Sequence, residues 1–182
     1  MTNRTSVTRS KFEDLVAGDK YVLPKEVQAL EKAIESIKTN IDEDPDFEGI
    51  VEELAEYTTN RPDREVVGVE EKLKLGGRED SIENAVYWKN KFARKLAKSQ
   101  LSNVDQHIFA HILAVIETRF NQYIRPLILE GSNKTEIDAA INEYIYESVY
   151  HAMTSYDATV TIQQVAGMLY FLTGKCHLSW SE

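Results

Sequence analysis

The most apolar stretch of the chain lies between Ser102 and Gly131. Apolar side chains recur on most sides of the helix that this stretch would form, which is typical of an element buried all round. Ser102 is a predicted N-cap, with Asp105 three residues further on, and Gly131 ends the pattern. We therefore predict a central helix at about 102–130, kinked at Pro126 because proline has no backbone N–H to donate.

Shorter stretches on both sides of this helix carry one apolar stripe each at helical spacing. In the first of them the stripe consists of Val27, Leu30, Ile34, Ile37 and Ile41. One stripe with charged residues outside it indicates an amphipathic helix that packs against a core. The sequence therefore predicts an all-α fold of six to seven helices packed around the central one, with the outer helices at about 24–41, 80–98, 133–150 and 161–173.

A turn-rich connection, Thr58-Thr-Asn-Arg-Pro-Asp63, is the best candidate for a domain boundary. Before it, Pro45 ends the first amphipathic pattern, and a shorter apolar stripe runs from Phe47 to Tyr57. We expect two parts, an N-terminal helical extension at 1–60 and a helical body at 61–182.

Composition excludes several classes of protein. Cys176 is the single cysteine of the chain, so a disulfide scaffold is impossible. No stretch reaches the roughly 18 to 20 apolar residues of a membrane span. The first ten residues contain no hydrophobic signal core, so the expected location is cytoplasmic, without contact to a membrane.

The net charge of −9 is spread unevenly. Residues 1–60 hold 7 Lys/Arg and 14 Asp/Glu, whereas residues 61–182 hold 14 and 16. The acidic residues are densest at 42–56, and a basic block with no acid in it occupies 89–98. Each block is either a solvated helix face or a docking surface, because opposite potentials steer association between charged partners.

Candidate catalytic residues do not form a convergent set. His107 and His111 share a helix face at a spacing that suits a metal ion, but Ile108 stands where the zincin motif needs a glutamate. Cys176 and His177 are adjacent in sequence, whereas a thiolate–imidazole pair requires spatial facing and a third group to orient the base. We therefore predict a protein that is not an enzyme, with no metal and no cofactor.

Nucleic acid is a second class of partner to consider. The basic block begins next to Trp88 and includes Phe92, a composition seen in single-strand binders. Phe92 and Leu96 have helical spacing and are expected in the core. Few cations on a net-acidic chain predict weak, salt-sensitive binding, so direct contact with nucleic acid is not expected to be the main function.

Three stretches are similar to those of a known family: Val66–Leu73 followed by Arg78, Ala85–Lys95, and Gly167–Trp180. Together they resemble the C-terminal domain of ABC-three-component systems, bacterial anti-phage operons of the Lamassu kind, over about residues 62–182. The resemblance implies a domain that connects an effector, such as a nuclease, to an SMC-like ATPase. Residues 1–61 are too short for a nuclease, which implies a stand-alone accessory subunit or an effector on another polypeptide.

We expect, then, an interaction subunit that bridges or restrains an effector at an SMC-like ATPase. The alternatives are an acidic inhibitor that mimics DNA through residues 42–56 and a small nucleic-acid-binding protein that uses residues 88–98. The charged residues of the acidic segment, the basic block and the resembling stretches, with the tryptophan of the tail, are the predicted partner-binding residues: Glu52, Glu53, Glu56, Glu70, Glu71, Lys72, Arg78, Lys89, Lys91, Arg94, Lys95 and Trp180.

Overall fold

The computed structural model describes residues 25–40, 54–61, 68–99 and 102–181. Every regular element in these ranges is helical and none is a strand, so the predicted all-α fold is confirmed. The α-helices are α1 (Lys25–Asn40), α2 (Val69–Leu75), α3 (Ile82–Ser99), α4 (Asn103–Arg119), α5 (Arg125–Leu129), α6 (Lys134–Ile141), α7 (Ser148–Thr154) and α8 (Ile162–Gly174). Residues 54–58 are helical as well. In the ranges described, no helix combines the length and the apolarity that crossing a bilayer requires.

Helix α4 is the central element, as the apolar pattern predicts. Ile108, Ile112 and Ile116 have no exposed surface, and neighbouring turns are buried on other sides too. The hydroxyl of Ser102 accepts a hydrogen bond from the backbone N–H of Asp105, so the predicted N-cap is confirmed. The cap satisfies one of the backbone donors that the first turn leaves without an intrahelical partner.

The predicted single helix at 102–130 has an irregularity in its second half. A π-helical segment, Phe120–Ile124, joins α4 to α5, and Pro126 lies in the first turn of α5. The wider π turn accommodates a residue that cannot donate a backbone hydrogen bond. Gly131, with a φ of 70°, ends α5, and the backbone N–H of Ser132 donates to the carbonyl of Leu127.

Helices α3 and α8 share the largest interface between two elements in the described chain. Phe92 of α3 is 1% exposed and meets the rings of Phe109 and Phe171 edge-on, at centroid distances of 5.7 and 5.3 Å. This aromatic contact ties α3 and α8 to the central helix and forms the middle of the core.

Helix α1 packs against α7 and α4. Its stripe residues Val27, Leu30 and Ile34 are buried in the same hydrophobic cluster as the central helix. The helix predicted at 24–41 is thus confirmed over Lys25–Asn40. The acidic segment at 42–53 lies outside the described residues, and the division into 1–60 and 61–182 stays a prediction.

After the C-terminal end of α8, a residue other than glycine has the left-handed backbone conformation. The helix ends at Gly174, but the residue with positive φ is Cys176, at 66°. The backbone N–H of His177 donates to the carbonyl of Leu172, and that of Cys176 to the carbonyl of Thr173. This is the hydrogen-bond pattern that usually has glycine at the left-handed position, and it turns the tail back over the helix.

The turn between α7 and α8 is held to two other helices by polar contacts. The hydroxyl of Tyr156 bonds to Asp105 of α4, and Lys95 of α3 donates to Oδ2 of Asp157 at 2.9 Å. The other oxygen of Asp157 accepts from the hydroxyl and the backbone N–H of Thr159, at 2.6 and 2.9 Å. The hydroxyl of Thr159 and the ammonium of Lys95 lower the pKa of Asp157 to about 2.

Protonation of Asp157 should therefore weaken the fold. Because its pKa is about 2 in the folded protein and ordinarily 3.8, the stabilising contribution is present above pH 3.8 and is lost as the pH falls through about 2. Urea unfolding of the wild type and of Asp157→Asn should show a stability difference at pH 6 that shrinks toward pH 2. A difference of constant size over that range would contradict the proposed linkage.

Candidate partner-binding surfaces

Lys72 of α2 binds the backbone of the C-terminal tail through its side chain. Its ammonium donates to the carbonyl of Thr173 at 2.9 Å and to that of Leu178 at 3.2 Å. The first carbonyl lies in the last turn of α8, where a cation also complements the negative end of the helix dipole. The contacts of this predicted partner-binding residue therefore lie within the chain, and a role in partner binding stays a prediction.

Two arginines anchor other points of the same tail. Arg125 donates to the carbonyl of Ser179 at 3.3 Å and also to that of Ser181. The backbone N–H of Arg61 donates to the carbonyl of Lys175 at 3.1 Å, and its guanidinium pairs with Glu117 at 3.1 Å. Three basic residues from separate parts of the chain thus fix the backbone of residues 175–181.

Trp180 is the hydrophobic anchor of the tail and is 3% exposed. Its indole meets the ring of Phe120 edge-on at 5.1 Å and stacks on Tyr170 at 6.5 Å. The indole N–H donates to the hydroxyl of Thr173 at 2.9 Å. The tryptophan of the tail thus packs on the body of the protein, and its role in partner binding stays a prediction.

Arg78 lies beside this anchor and is itself 5% exposed. Its Nη1 donates to Oδ1 of Asp138 at 2.5 Å, and its guanidinium carbon lies 4.9 Å from the centre of the Trp180 ring. Nη2 of the same group is buried and has no hydrogen-bond partner among the described residues. The nitrogens of a buried guanidinium normally all find acceptors, so Nη2 is an unsatisfied donor in the interior of the protein.

Two tyrosines, Tyr170 buried and Tyr146 half-buried, lie in the polar surroundings of Arg78. A hydrogen bond joins the phenols of Tyr146 and Tyr170, and burial raises the pKa of both above the ordinary value of 10. Both phenols are therefore neutral at physiological pH, and Arg78 meets no phenolate there. On the outside, Lys134 pairs with Asp80 and thereby lowers the pKa of that carboxyl.

A cavity of about 580 Å³ opens next to Arg78. It lies between the end of α2, the end of the central helix, the start of α6 and the tail. Its size falls within the usual range of ligand sites. The walls include Leu75, Arg78, Ile128, Ser132, Ile137 and Trp180.

The basic block on α3 divides into two groups. Lys95 pairs with Asp157, and the side chain of Lys89 packs beside Gly174 of α8. Lys91, Arg94 and Lys98 are exposed, and within the described ranges they have no ion pair. With Tyr87, which is 58% exposed, they follow the spacing i, i+4, i+7 and i+11 and so share one helix face.

The predicted acidic residues are only partly described. Glu70 and Glu71 are exposed in the first turn of α2, and Glu71 lies 3.6 Å from Lys74. Glu56 is exposed in the helical residues 54–58. Glu52 and Glu53 lie outside the described residues, so partner binding by the acidic segment stays a prediction.

The histidines and the cysteine that were considered for metal binding or catalysis are not brought together in one site. His107 is 6% exposed, while His111 borders an open cavity of about 480 Å³ between α1 and α4. Cys176 is buried, and Nδ1 of His177 lies 3.8 Å from Glu117. In the parts of the chain that the structure describes, no three or more His, Cys, Asp or Glu side chains gather as metal ligands would.

Some residues of these surfaces were not predicted. Tyr87 extends the basic face, and its helical spacing from Lys91, Arg94 and Lys98 is visible in the sequence. Asp138 is 60 residues from Arg78, and nothing in the sequence indicates that the two form a pair.

Comparison with known protein families identifies a match over most of the described chain. The family CTD9, described as C-terminal domain 9 of the ABC-three component (ABC-3C) systems, matches residues 68–180. No curated protein and no solved structure matches the chain. The matched range begins at α2 and includes both the basic face of α3 and the Arg78 cavity.

Proposed function

Because this chain belongs to the CTD9 family of ABC-three component systems, we propose that it is a non-enzymatic interaction subunit of a bacterial anti-phage or anti-plasmid defence complex. In this proposal it bridges or restrains an effector, of nuclease type, at an SMC-like ATPase, and it works in the cytoplasm. Residues 1–60 would add an acidic extension to the body at 61–182.

The observation that carries this proposal is the exposed face of α3. Several cations of the described chain are engaged within the molecule, Lys72, Arg78 and Lys95 among them. Lys91, Arg94 and Lys98 project outward from a well-packed helix instead. On a chain with a net charge of −9, this local positive potential would orient an acidic protein surface toward α3.

Tyr87 adds an aromatic contact at one end of the same face. Its side chain is 58% exposed and thus accessible to a partner. Tyrosine is enriched at protein interfaces because it combines a large apolar area with a hydroxyl that hydrogen-bonds. A face with one exposed aromatic ring and three cations is well suited to an acidic protein partner.

Charge reversal on α3 tests the proposal. Co-expression with the ATPase and effector subunits of the same operon should yield a complex that contains this chain. The variant Lys91→Glu/Arg94→Glu/Lys98→Glu should bind about tenfold more weakly or not at all, since like charges then face each other. Quantitative pull-down at low and moderate salt measures this loss.

A matched control separates docking from net charge. Lys25→Glu/Lys32→Glu/Lys74→Glu reverses three exposed lysines on α1 and α2 and changes the net charge equally. This control variant should bind as the wild type does. If both triple variants bind equally, the α3 face is not the docking surface. If the wild type stays alone with every operon product, the proposed function is wrong.

Nucleic acid is a second candidate for the same face. An exposed aromatic ring beside cations is the composition on which unpaired bases stack. Three exposed cations neutralise few phosphates, so binding of single-stranded DNA should already be weak at 50 mM salt and fall by about 20-fold at 200 mM, the shallow dependence of about three phosphate contacts. A polarisation titration with the same two triple variants assigns the binding to α3 or to general charge.

A further inference from the structure

We propose that residues 11–17, which lie outside the described ranges, form a short amphipathic helix that packs into the groove between α1 and α4. The inference rests on the juxtaposition of an open, mainly apolar groove with the start of α1, which these residues precede in the chain. It goes beyond the proposed function, because it assigns an occupant to a surface other than the α3 face.

The groove is lined mainly by apolar side chains, among them Leu30 of α1 and Ala114 and Val115 of α4. Its volume is about 480 Å³, and it is open to solvent. Arg119 also lines it, but the guanidinium donates to the carbonyl of Tyr144 at 2.9 Å and is thus already engaged within the chain. A lining of this kind favours an apolar occupant over an anion.

The dimensions of the groove match those of a helix. On one side the lining residues run along α4 and the π-helical segment after it, from His111 to Gln122, which is about 16 Å along the axis. On the other side are Ala29, which is exposed, and Ala33, which is half-buried one turn further along α1. A groove of this length between two helices accommodates a third helix of two to three turns.

The sequence before α1 contains a stripe that fits such a groove. Phe12, Leu15 and Val16 follow the spacing i, i+3 and i+4, and the charged residues at 11, 13 and 14 fall outside the stripe. This pattern predicts an amphipathic helix of about two turns. A helix so short is unstable by itself in water, so its formation depends on burying the apolar stripe against another surface.

The connection to α1 is long enough to bring this stripe to the groove. Residues 18–24 begin with the turn signal Gly18-Asp19, and α1 starts directly after them at Lys25. Seven extended residues span up to about 23 Å, whereas Ala29 lies only about 6 Å along α1 from Lys25. Connections of this length are typical between antiparallel neighbouring helices.

Covalent attachment favours this segment over a separate polypeptide. A tethered segment has a high effective concentration at the groove and binds without the entropy loss of bringing two molecules together. Residues 11–40 then form a helical hairpin that packs on α4. In this arrangement the start of the N-terminal extension is part of the helical body, as α1 is through its buried stripe.

A nitroxide at residue 14 of the full chain tests this inference. Asp14→Cys places the label outside the apolar stripe, and the natural cysteine, Cys176, is buried and does not react. The methyl resonances of Ala29 and Ala114, which line the groove, should be strongly broadened by the label. That of Ala97 on α3 should stay sharp.

Ala97 is a suitable reference because α3 packs on another side of α4. Phe92 of α3 meets Phe109 of α4, and residues 109 and 111 point in directions about 200° apart around the helix. His111 lines the groove, so α3 and the groove lie on opposite sides of α4. A label held in the groove is therefore far from α3.

Three further substitutions in the labelled protein identify what holds the segment. Leu15→Glu puts a charge into the apolar stripe without altering the described core and should remove most of the broadening. Ala33→Glu puts a charge into the groove and should have the same effect. Ala97→Glu is the matched control, since it makes the same change at an exposed position of α3, and should leave the broadening of Ala29 and Ala114 unchanged.

Several results would overturn the inference. Absence of broadening at Ala29 and Ala114, or equal broadening at Ala97, would mean that the segment does not occupy the groove. Broadening that persists in Leu15→Glu would mean that the apolar stripe does not hold it. Mixing nitroxide-labelled protein with isotope-labelled protein that carries no nitroxide tests the remaining occupant. Broadening in that mixture would assign the groove to the segment of a second copy.

Discussion

Trp180→Ala should lower the free energy of unfolding by about 3–5 kcal/mol. The indole is 3% exposed and fills the space between Phe120 and Tyr170. Its removal leaves a cavity, takes away the donor to the Thr173 hydroxyl and uncovers the guanidinium of Arg78. The tail at 175–181 would then retain mainly the hydrogen bonds that its carbonyls accept from the side chains of Lys72 and Arg125 and from the backbone N–H of Arg61.

Trp180→Phe separates packing from hydrogen bonding. Phenylalanine keeps an aromatic ring next to Phe120 but has no N–H for Thr173, so the expected loss is about 1–2 kcal/mol. Trp88→Phe on α3, where the ring is half-buried, is the matched control and should cost less than Trp180→Ala. Urea unfolding followed by far-ultraviolet circular dichroism measures all three. A Trp180→Ala variant as stable as the control would contradict the anchoring role.

The helices could be predicted from the sequence because their determinants are local. Ser102 and Asn133 cap α4 and α6 through hydrogen bonds to residues three positions on, and Gly131 takes the left-handed conformation that ends α5. Periodicity and caps depend on neighbours within about one or two turns, so a single sequence contains them. The π segment after α4 was missed because its only local indication is Pro126.

The candidate site could be predicted only in part. Lys72 and Arg78 attract attention as charges in a family-like stretch, yet their partners lie 101, 106 and 60 residues away. Whether residues so far apart in the sequence form a pair depends on tertiary packing, which composition and periodicity do not predict. The same limit explains why the basic block was treated as one unit, although Lys95 is engaged by Asp157 and Lys91 is exposed.

Gly167 is a further case in which the sequence conceals a tertiary requirement. A glycine inside a helix is expected to lower the free energy of unfolding by about 1 kcal/mol relative to alanine. From the sequence alone, Gly167 would therefore be expected to destabilise α8. In the structure it lies where α8 crosses α3. A Cβ atom there would be 2.6 Å from the carbonyl oxygen of Trp88 and 3.0 Å from Cβ of Phe92. Glycine is thus what allows the two helices to approach.

Gly167→Ala should therefore destabilise the protein by about 3 kcal/mol, although alanine has the higher helix propensity. The obstructing atom belongs to the backbone of α3, so relief requires the whole helix to move away from α8, and with it Phe92 and the exposed basic face. Gly174→Ala in the same helix is the control, because a Cβ there meets the flexible side chain of Lys89 at 3.2 Å. That variant should stay within about 1 kcal/mol of the wild type, since the lysine can shift. Both are measured by urea unfolding. Equal stability of the two variants would mean that the α3–α8 crossing tolerates a methyl group, and that the position of the α3 face does not depend on Gly167.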